Sequence, residues 1–146
     1  MATRIENVGI VVQDLELVRD FFVALGLEVK GEAQVHGPWV DLTLGLRDVE
    51  SRICLLGSDE SDAQIELQQY VTPTPIPAAT GGIPNVVGLH RVSLQVANLE
   101  GHVVRLAEQG YGLRGEVARY ADEWHLCYLI GPENLLVMLF EPISPA

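Results

Sequence analysis

The second half of this chain of 146 residues repeats the pattern of the first half. A shift of 84 positions places residues 6–29 on residues 90–113. In both copies an alternating run precedes an N-cap residue, an amphipathic helix and a glycine. Two copies are too few for a solenoid, so we expect two halves that close on each other around a shared cleft. The matching pairs are Val8 and Val92, Ile10 and Leu94, Val12 and Val96, Leu15 and Leu99, Glu16 and Glu100, Phe22 and Leu106, and Gly26 and Gly110.

The periodicity of each half predicts the same order of elements, βαβββ, and therefore an α+β fold. Asp14 and Asn98 are the predicted N-caps of the two helices. In the first half we expect strands at Arg4–Gln13, Leu27–Val35, Ser51–Gly57 and Ala63–Tyr70, with a helix at Leu15–Leu25. In the second half we expect strands at Val87–Ala97, Leu113–Tyr120, His125–Ile130 and Leu135–Glu141, with a helix at Leu99–Gln109.

A proline-rich segment, Thr72–Gly88, separates the two halves and contains four of the eight prolines. Proline stiffens such a segment toward an extended form and excludes it from a helix or a central strand. We therefore expect one domain, residues 1–146, with a first module at 1–71, a linker at 72–88 and a second module at 89–146.

The first half is longer than the second. Gly26 to Glu66 spans 40 positions and Gly110 to Met138 spans 28, so the first half has 12 extra residues. The extra length lies around His36–Asp48, which contains Trp39. Two interpretations remain open, a lid over the cleft or a packed surface loop anchored by Trp39.

Composition excludes several classes of partner. The formal net charge of −11 disfavours nucleic acid and anionic membranes, because both require a basic surface. No apolar run is long enough to span a bilayer. The N-terminal sequence has no apolar signal region, which predicts a cytoplasmic protein. In that compartment Cys54 and Cys127 are expected to be buried thiols rather than a disulfide.

Three segments, together with the repeat, resemble the vicinal oxygen chelate superfamily, which includes glyoxalase I, methylmalonyl-CoA epimerase, extradiol dioxygenases and bleomycin-resistance proteins. The resemblance covers almost the whole chain. It implies two βαβββ modules that form an open, cleft-shaped mixed β-sheet barrel with the helices packed outside. It also implies a homodimer, since members of the superfamily commonly pair modules across a two-fold axis. The segments are IENVGIVVQDLE, AQIELQQY and IGPENLLVMLFEP.

In metal-dependent members of this superfamily, four side chains from the first and last strands of the two halves bind a divalent ion. The matching positions here hold Asn7, Glu66, Arg91 and Met138. Arginine would repel a cation, and asparagine and methionine are poor ligands for a hard or borderline ion. We therefore expect no metal and no other cofactor. His36, His102 and His125 are interpreted as structural, and His90 is expected to point away from Arg91 because adjacent strand residues face opposite sides.

Two classes of function follow from the resemblance and from these substitutions. The first is a metal-free protein that binds a small, largely apolar organic molecule in the cleft, as bleomycin-resistance members do. The second is a metal-independent isomerase or lyase in which Glu66 is the base and Arg91 stabilises an oxyanion. A third interpretation is a buried Arg91–Glu66 pair with a structural role only.

The residues expected to surround the ligand combine polar groups with aromatic and apolar side chains. Such a mixture suits a mostly apolar organic ligand. Tyr128 stands among the same aromatic residues but is outside the predicted ligand set. The predicted set is Asn7, Trp39, Glu66, Arg91, Tyr120, Trp124, Met138 and Phe140, with Glu66 and Arg91 as the candidate catalytic pair.

Overall fold

A computed structural model of the protein describes residues 2–144. The chain divides into two compact units, residues 1–77 and 78–146, and the division falls within the predicted linker. The first unit contains β1 (Asn7–Val11), α1 (Leu15–Ala24), β2 (Glu28–His36), α2 (Pro38–Leu44), β3 (Glu50–Gly57) and β4 (Gln64–Thr72). The second contains β5 (Val92–Gln95), α3 (Leu99–Glu108), β6 (Ala118–Tyr120), β7 (Trp124–Ile130) and β8 (Leu136–Pro142).

Each unit is built on one open, four-stranded mixed sheet. The strand orders are β1-β4-β3-β2 and β5-β8-β7-β6, with a parallel first pair and antiparallel pairs elsewhere. The predicted α+β fold with two βαβββ modules is therefore confirmed, and neither sheet closes into a barrel by itself.

The register of the two sheets confirms the internal repeat. Gly9 pairs with Glu66 in the first sheet, and Ser93 pairs with Met138 in the second. These pairs are related by the shift of 84 positions on the first strand and of 72 on the last. Cys54 and Cys127 also occupy equivalent places, each opposite a fully buried leucine of the last strand.

The two predicted helices, α1 and α3, begin at the predicted residue and end one residue before the predicted limit. The side chain of Asp14 accepts a hydrogen bond from the Leu17 amide, and that of Asn98 accepts one from the Gly101 amide. Past each helix a glycine has a positive φ, which other residues rarely adopt. The apolar stripes of the two helices pack on their sheets, and their buried members are Leu15, Val18, Phe21 and Phe22 in α1 and Leu99 and Leu106 in α3.

A side chain of the last strand supports the start of the helix in each unit. The Leu15 amide donates to Gln69 Oε1 at 2.9 Å, and the Leu99 amide donates to Glu141 Oε2 at 3.1 Å. Both contacts satisfy a helix amide that has no partner within its own helix. Gln69 and Glu141 are equivalent in the repeat, but only Glu141 carries a charge.

The extra residues of the first half form α2, and Trp39 does not anchor them. Its indole is 62 % exposed, whereas Val40 and Val49 are buried. The Asp41 carboxylate accepts hydrogen bonds from the amides of Asp48 and Val49, which closes the segment on itself. Of the two interpretations of this segment, the surface loop anchored by Trp39 is therefore wrong, because Val40 occupies the buried position of the helix, and the lid stays a hypothesis.

Two strands of the second half are shorter than predicted. The strand expected at Val87–Ala97 extends only over Val92–Gln95, because the preceding residues include Gly88 at φ 138° and stay irregular. The strand expected at Leu113–Tyr120 is reduced to Ala118–Tyr120 plus an isolated bridge from Leu113 to Leu129.

Cys54 and Cys127 are free, buried thiols, as predicted. Burial raises the pKa of both thiols, so each stays protonated and unreactive at neutral pH. None of the helices within residues 2–144 has the length and apolar character that a bilayer-spanning helix requires.

Candidate functional site

The face of the second sheet away from α3, here called the open face, brings together the predicted ligand residues of that half. Alternate residues of a strand point to opposite faces, and cross-strand partners share a face. Val137 and Leu139 are fully buried on the helix side, so Met138 and Phe140 belong to the open face. The register adds their partners, and the resulting set is Ser93, Gln95, Tyr120, Trp124, Leu126, Tyr128, Leu136, Met138 and Phe140.

Arg91 lies one residue before β5 and reaches Tyr128 across the sheet. Its Nη1 atom donates a hydrogen bond to Tyr128 Oη, and its guanidinium carbon lies 5.4 Å from the centre of the Tyr128 ring. This second contact has the distance of a cation–π interaction. The arginine is exposed, and the described residues of its unit offer it no carboxylate.

His90 joins the same cluster, contrary to the sequence prediction. Its ring stacks on Tyr128 with 5.6 Å between centroids and 28° between planes. Its Nδ1 atom is 3.5 Å from Arg91 Nη1. The strand alternation behind the prediction does not apply, because the strand begins only at Val92. His90 and Arg91 therefore converge on one tyrosine.

Aromatic and apolar side chains continue the open face beyond this cluster. Trp124 and Phe140 meet edge to face at 5.4 Å between centroids, and both are half-buried. Met138 is the cross-strand partner of Tyr128. Tyr120, opposite Trp124, is 66 % exposed at the edge of the sheet. The open face thus combines a cationic end with an apolar end.

The face of the first sheet away from α1 carries Asn7 and Glu66. Glu66 is half-buried, and its neighbours across the sheet are Gly9 and Leu55. Asn7 is opposite Gln64, so it lies on the same face as Glu66 but is not its direct partner. Within residues 2–77 the Glu66 carboxylate forms no ion pair. Trp39 belongs to α2 rather than to this sheet.

Neither Arg91 nor Glu66 is the fully buried charge that a purely structural pair requires. Arg91 is exposed, and Glu66 is half-buried. The large stability cost of leaving a buried charge unpaired therefore does not apply to either residue.

The residues at the metal-ligand positions do not fit a divalent metal. Arg91 and Met138 in the second unit supply a fixed cation and a soft thioether, and Glu66 in the first supplies one carboxylate beside the amide of Asn7. Within residues 2–144 no three residues of the histidine, cysteine, aspartate and glutamate types come together in a way that could hold a metal ion.

A family model described as the glyoxalase/bleomycin resistance protein/dioxygenase superfamily matches residues 6–128. The chain belongs to this superfamily. A glyoxalase family protein from Bacillus cereus is 33 % identical, with 99 % of this chain and 97 % of that chain covered and a TM-score of 0.93. The vicinal oxygen chelate resemblance is thereby confirmed. No curated protein matches the chain.

Two more distant structures share the fold. TnmS3, an antibiotic binding protein from Streptomyces sp. CB03234, is 16 % identical over 97 % of this chain and 98 % of its own, with a TM-score of 0.62. The fosfomycin resistance protein FosX from Listeria monocytogenes, solved with Mn(II) and sulfate, is 12 % identical over 97 % and 93 %, with a TM-score of 0.60. At these identities the likeness extends to the fold alone.

Tyr128 is the residue of this superfamily member that the sequence prediction undervalued. It contacts both His90 and Arg91, although the predicted ligand set does not include it. Its cross-strand pairing with Met138 would have revealed it, because Met138 was already placed on the ligand face.

We expect the purified protein to contain no stoichiometric divalent metal. One of the four residues at the metal-ligand positions of the superfamily is Arg91, whose permanent positive charge would repel a metal cation. Elemental analysis of protein purified without chelators checks this expectation. Near one equivalent of zinc, nickel, iron or manganese that disappears in Glu66→Gln would contradict it.

Proposed function

We propose that this protein binds a small, largely apolar organic molecule that carries an oxygen acceptor, and that it does so without a metal. The observation that carries the proposal is the pairing of Arg91 with Tyr128 at one end of an apolar open face. A guanidinium and a phenol can hold an oxygen atom, while Met138, Phe140 and Trp124 offer apolar and aromatic contact.

The hydrogen-bond directions explain why this end would attract an oxygen atom. Tyr128 Oη accepts from Arg91, so its own hydrogen is left to donate in another direction. Arg91 retains further N–H groups, since a guanidinium has five donors. Both groups thus have donors to offer, and both lie at an accessible position. A carboxylate, phenolate or carbonyl oxygen is the complementary ligand group.

Two structures with the same fold support a binding role. TnmS3 is an antibiotic binding protein, and FosX is a fosfomycin resistance protein. By analogy with these proteins, sequestration of a small, largely apolar compound is the form of binding proposed for this chain. The proposed ligand set remains the predicted one, Asn7, Trp39, Glu66, Arg91, Tyr120, Trp124, Met138 and Phe140, with Tyr128 added.

A second candidate function is a metal-independent isomerase or lyase. The half-buried Glu66 carboxylate, which has no ion-pair partner within its own unit, favours this candidate because such a group can accept a proton. Arg91 would then stabilise the oxyanion that forms. Turnover of the bound compound that is lost in Glu66→Gln, with affinity retained, would establish the enzyme. Binding without turnover would leave the sequestering role.

The experiment that tests the binding proposal is a thermal-shift screen of the metal-free protein against small organic acids, phenols and ketones with an apolar body. A ligand that binds only the folded state raises the melting temperature by mass action. At 100 times its Kd such a ligand stabilises by about 2.7 kcal/mol. Hits among compounds that lack any oxygen acceptor, at equal strength, would contradict the role assigned to Arg91.

We also propose that the protein is a homodimer. Open sheet edges such as β1, β2, β5 and β6 carry unpaired backbone groups and favour pairing with a second chain. Light scattering should give twice the chain mass, and a monomer mass over a wide concentration range would exclude the dimer. The single-domain organisation and the cytoplasmic location stay predictions.

A further inference from the structure

A cavity of about 570 Å³ opens at the end of the second sheet, where β5 leads into α3. Its polar side chains include Glu141 of β8 and His125 of β7, which are cross-strand partners. They share the helix face of the sheet with Cys127 and Leu139, so the cavity is separate from the Arg91–Tyr128 cluster on the open face. The cavity is lined by Gln95, Val96, Ala97, His125, Glu141, Pro142, Ile143 and Ser144.

The first unit shows what occupies the equivalent place in the repeat. There Arg52 of β3 is the cross-strand partner of Gln69 of β4. The Arg52 guanidinium donates through Nη2 to Glu16 Oε1, in the first turn of α1. This contact lowers the pKa of Glu16 below its usual value and so keeps the carboxylate ionised. A guanidinium is therefore held beside the start of the helix.

The second unit has carboxylates at the corresponding positions but no guanidinium at the position of Arg52. The repeat places His125 where Arg52 stands, Glu141 where Gln69 stands and Glu100 where Glu16 stands, at offsets of 73, 72 and 84 positions. An imidazole thus replaces a permanent charge, and a carboxylate replaces a neutral amide. In the described part of the second unit the Arg119 guanidinium pairs with Asp122, and neither Glu100 nor Glu141 forms an ion pair with an arginine or lysine.

The groups around Glu141 leave its charge uncompensated. One of its oxygens, Oε2, accepts from the Leu99 amide. His102 of α3 is nearby, but burial and the neighbouring Arg105 lower its pKa, so its ring is neutral at pH 7. Arg105 itself is bonded to the His102 ring at 2.9 Å rather than to Glu141. A half-buried carboxylate at a cavity wall is therefore available to an external cation.

We infer that this cavity binds the guanidinium group of a small molecule, with Glu141 as its anionic partner. The shorter side chain of His125 leaves open the space that Arg52 fills in the first unit. The planar N–H groups of a guanidinium match the two oxygens of a carboxylate in charge and geometry. The positive end of α3 does not forbid a cation here, since Arg52 occupies the same position beside α1.

The test is a titration of the full-length, ¹⁵N-labelled protein with propylguanidinium at millimolar concentration, followed by NMR. We expect saturable shifts at the amides of residues 95–97, 125 and 141–144. Propylurea has nearly the same shape without the charge and should cause no saturable shift. A guanidinium group occurs both in free small molecules and in the arginine side chains of proteins. An arginine tripeptide with blocked ends distinguishes these two sources, because it binds only if the cavity admits a peptide.

Glu141→Gln should weaken propylguanidinium binding by about tenfold or more, the loss expected for one charge-assisted contact. The variant should fold, because Gln69 makes the same hydrogen bond to a helix amide in the first unit. Glu108→Gln removes one charge from the exposed end of α3 and is the matched control. Equal binding by the parent and Glu141→Gln would overturn the inference, as would shifts that never saturate.

His125→Arg supplies a second, independent variant. The new guanidinium should fill the cavity as Arg52 does in the first unit, raise the melting temperature and abolish binding of propylguanidinium. Unchanged binding in folded His125→Arg would show that the probe binds elsewhere and would also overturn the inference. The results for Glu141→Gln and His125→Arg do not depend on the proposed function. The cavity and the Arg91–Tyr128 cluster lie on opposite faces of the sheet, so failure of the open face to bind a ligand would leave both results unaffected.

Discussion

Replacing Phe22 with alanine is expected to lower the free energy of unfolding of the first unit by about 3–5 kcal/mol, the range for deletion of a buried phenylalanine ring. Phe22 has no exposed surface and meets Phe21 edge to face at 5.3 Å between centroids. The loss combines the transfer energy of the ring with the cavity that remains, because the surrounding residues collapse only in part. Urea unfolding followed by circular dichroism measures it.

Val23→Ala on the same helix is the matched control for Phe22→Ala. Val23 is 43 % exposed, so its replacement should change the free energy of unfolding by no more than about 0.5 kcal/mol. Equal effects of the two substitutions would contradict the packing of α1 against its sheet. A changed urea dependence in Phe22→Ala would instead indicate an altered unfolded state.

The fold could be predicted because the repeat specifies each element twice. The pairs Asp14 with Asn98 and Gly26 with Gly110 mark the helix limits by local chemistry that acts without tertiary context. The strands β3, β4, β7 and β8 were also predicted to within two residues at each end, since each has a buried face and a clear alternation. Local signals and tertiary packing agree at these places.

The errors in the fold occur where backbone pairing rather than composition decides the outcome. Residues 87–91 have strand-like composition, but the strand begins only at Val92, where β8 offers a partner. The apolar content of the segment could not reveal where that partner ends. The helix of the insertion was missed for another reason, since a glycine followed by proline starts a helix as readily as a turn.

The candidate site could be predicted in part, because register follows from alternation once a strand is located. Met138 and Phe140 share a face for this reason, and Trp124 and Tyr120 follow by pairing. The contacts of His90 and Tyr128 with Arg91 could not be predicted, since they depend on side chains next to an irregular segment. The ligand itself leaves no pattern in the sequence.

Replacing Arg91 with methionine is expected to weaken binding of the oxygen-bearing ligand by roughly 10- to 100-fold, equivalent to about 1.5–3 kcal/mol for one hydrogen bond to a charged group. Methionine keeps the length and apolar stem of the side chain but removes every donor and the charge. Since Arg91 is exposed, the free energy of unfolding should change by no more than about 0.5 kcal/mol. Isothermal titration with the best compound from the thermal-shift screen measures the loss.

Two further variants separate the charge of Arg91 from the other features of the open face. Arg119→Met removes an arginine from the same unit, but Arg119 lies on β6 between Ala118 and Tyr120 and therefore points away from the open face. It should leave the affinity unchanged. Tyr128→Phe removes only the phenol donor and should weaken binding by about 0.5–1.5 kcal/mol, less than the loss in Arg91→Met. If all three variants bind as the parent does, the apolar wall alone carries recognition and the cationic end has no part in it.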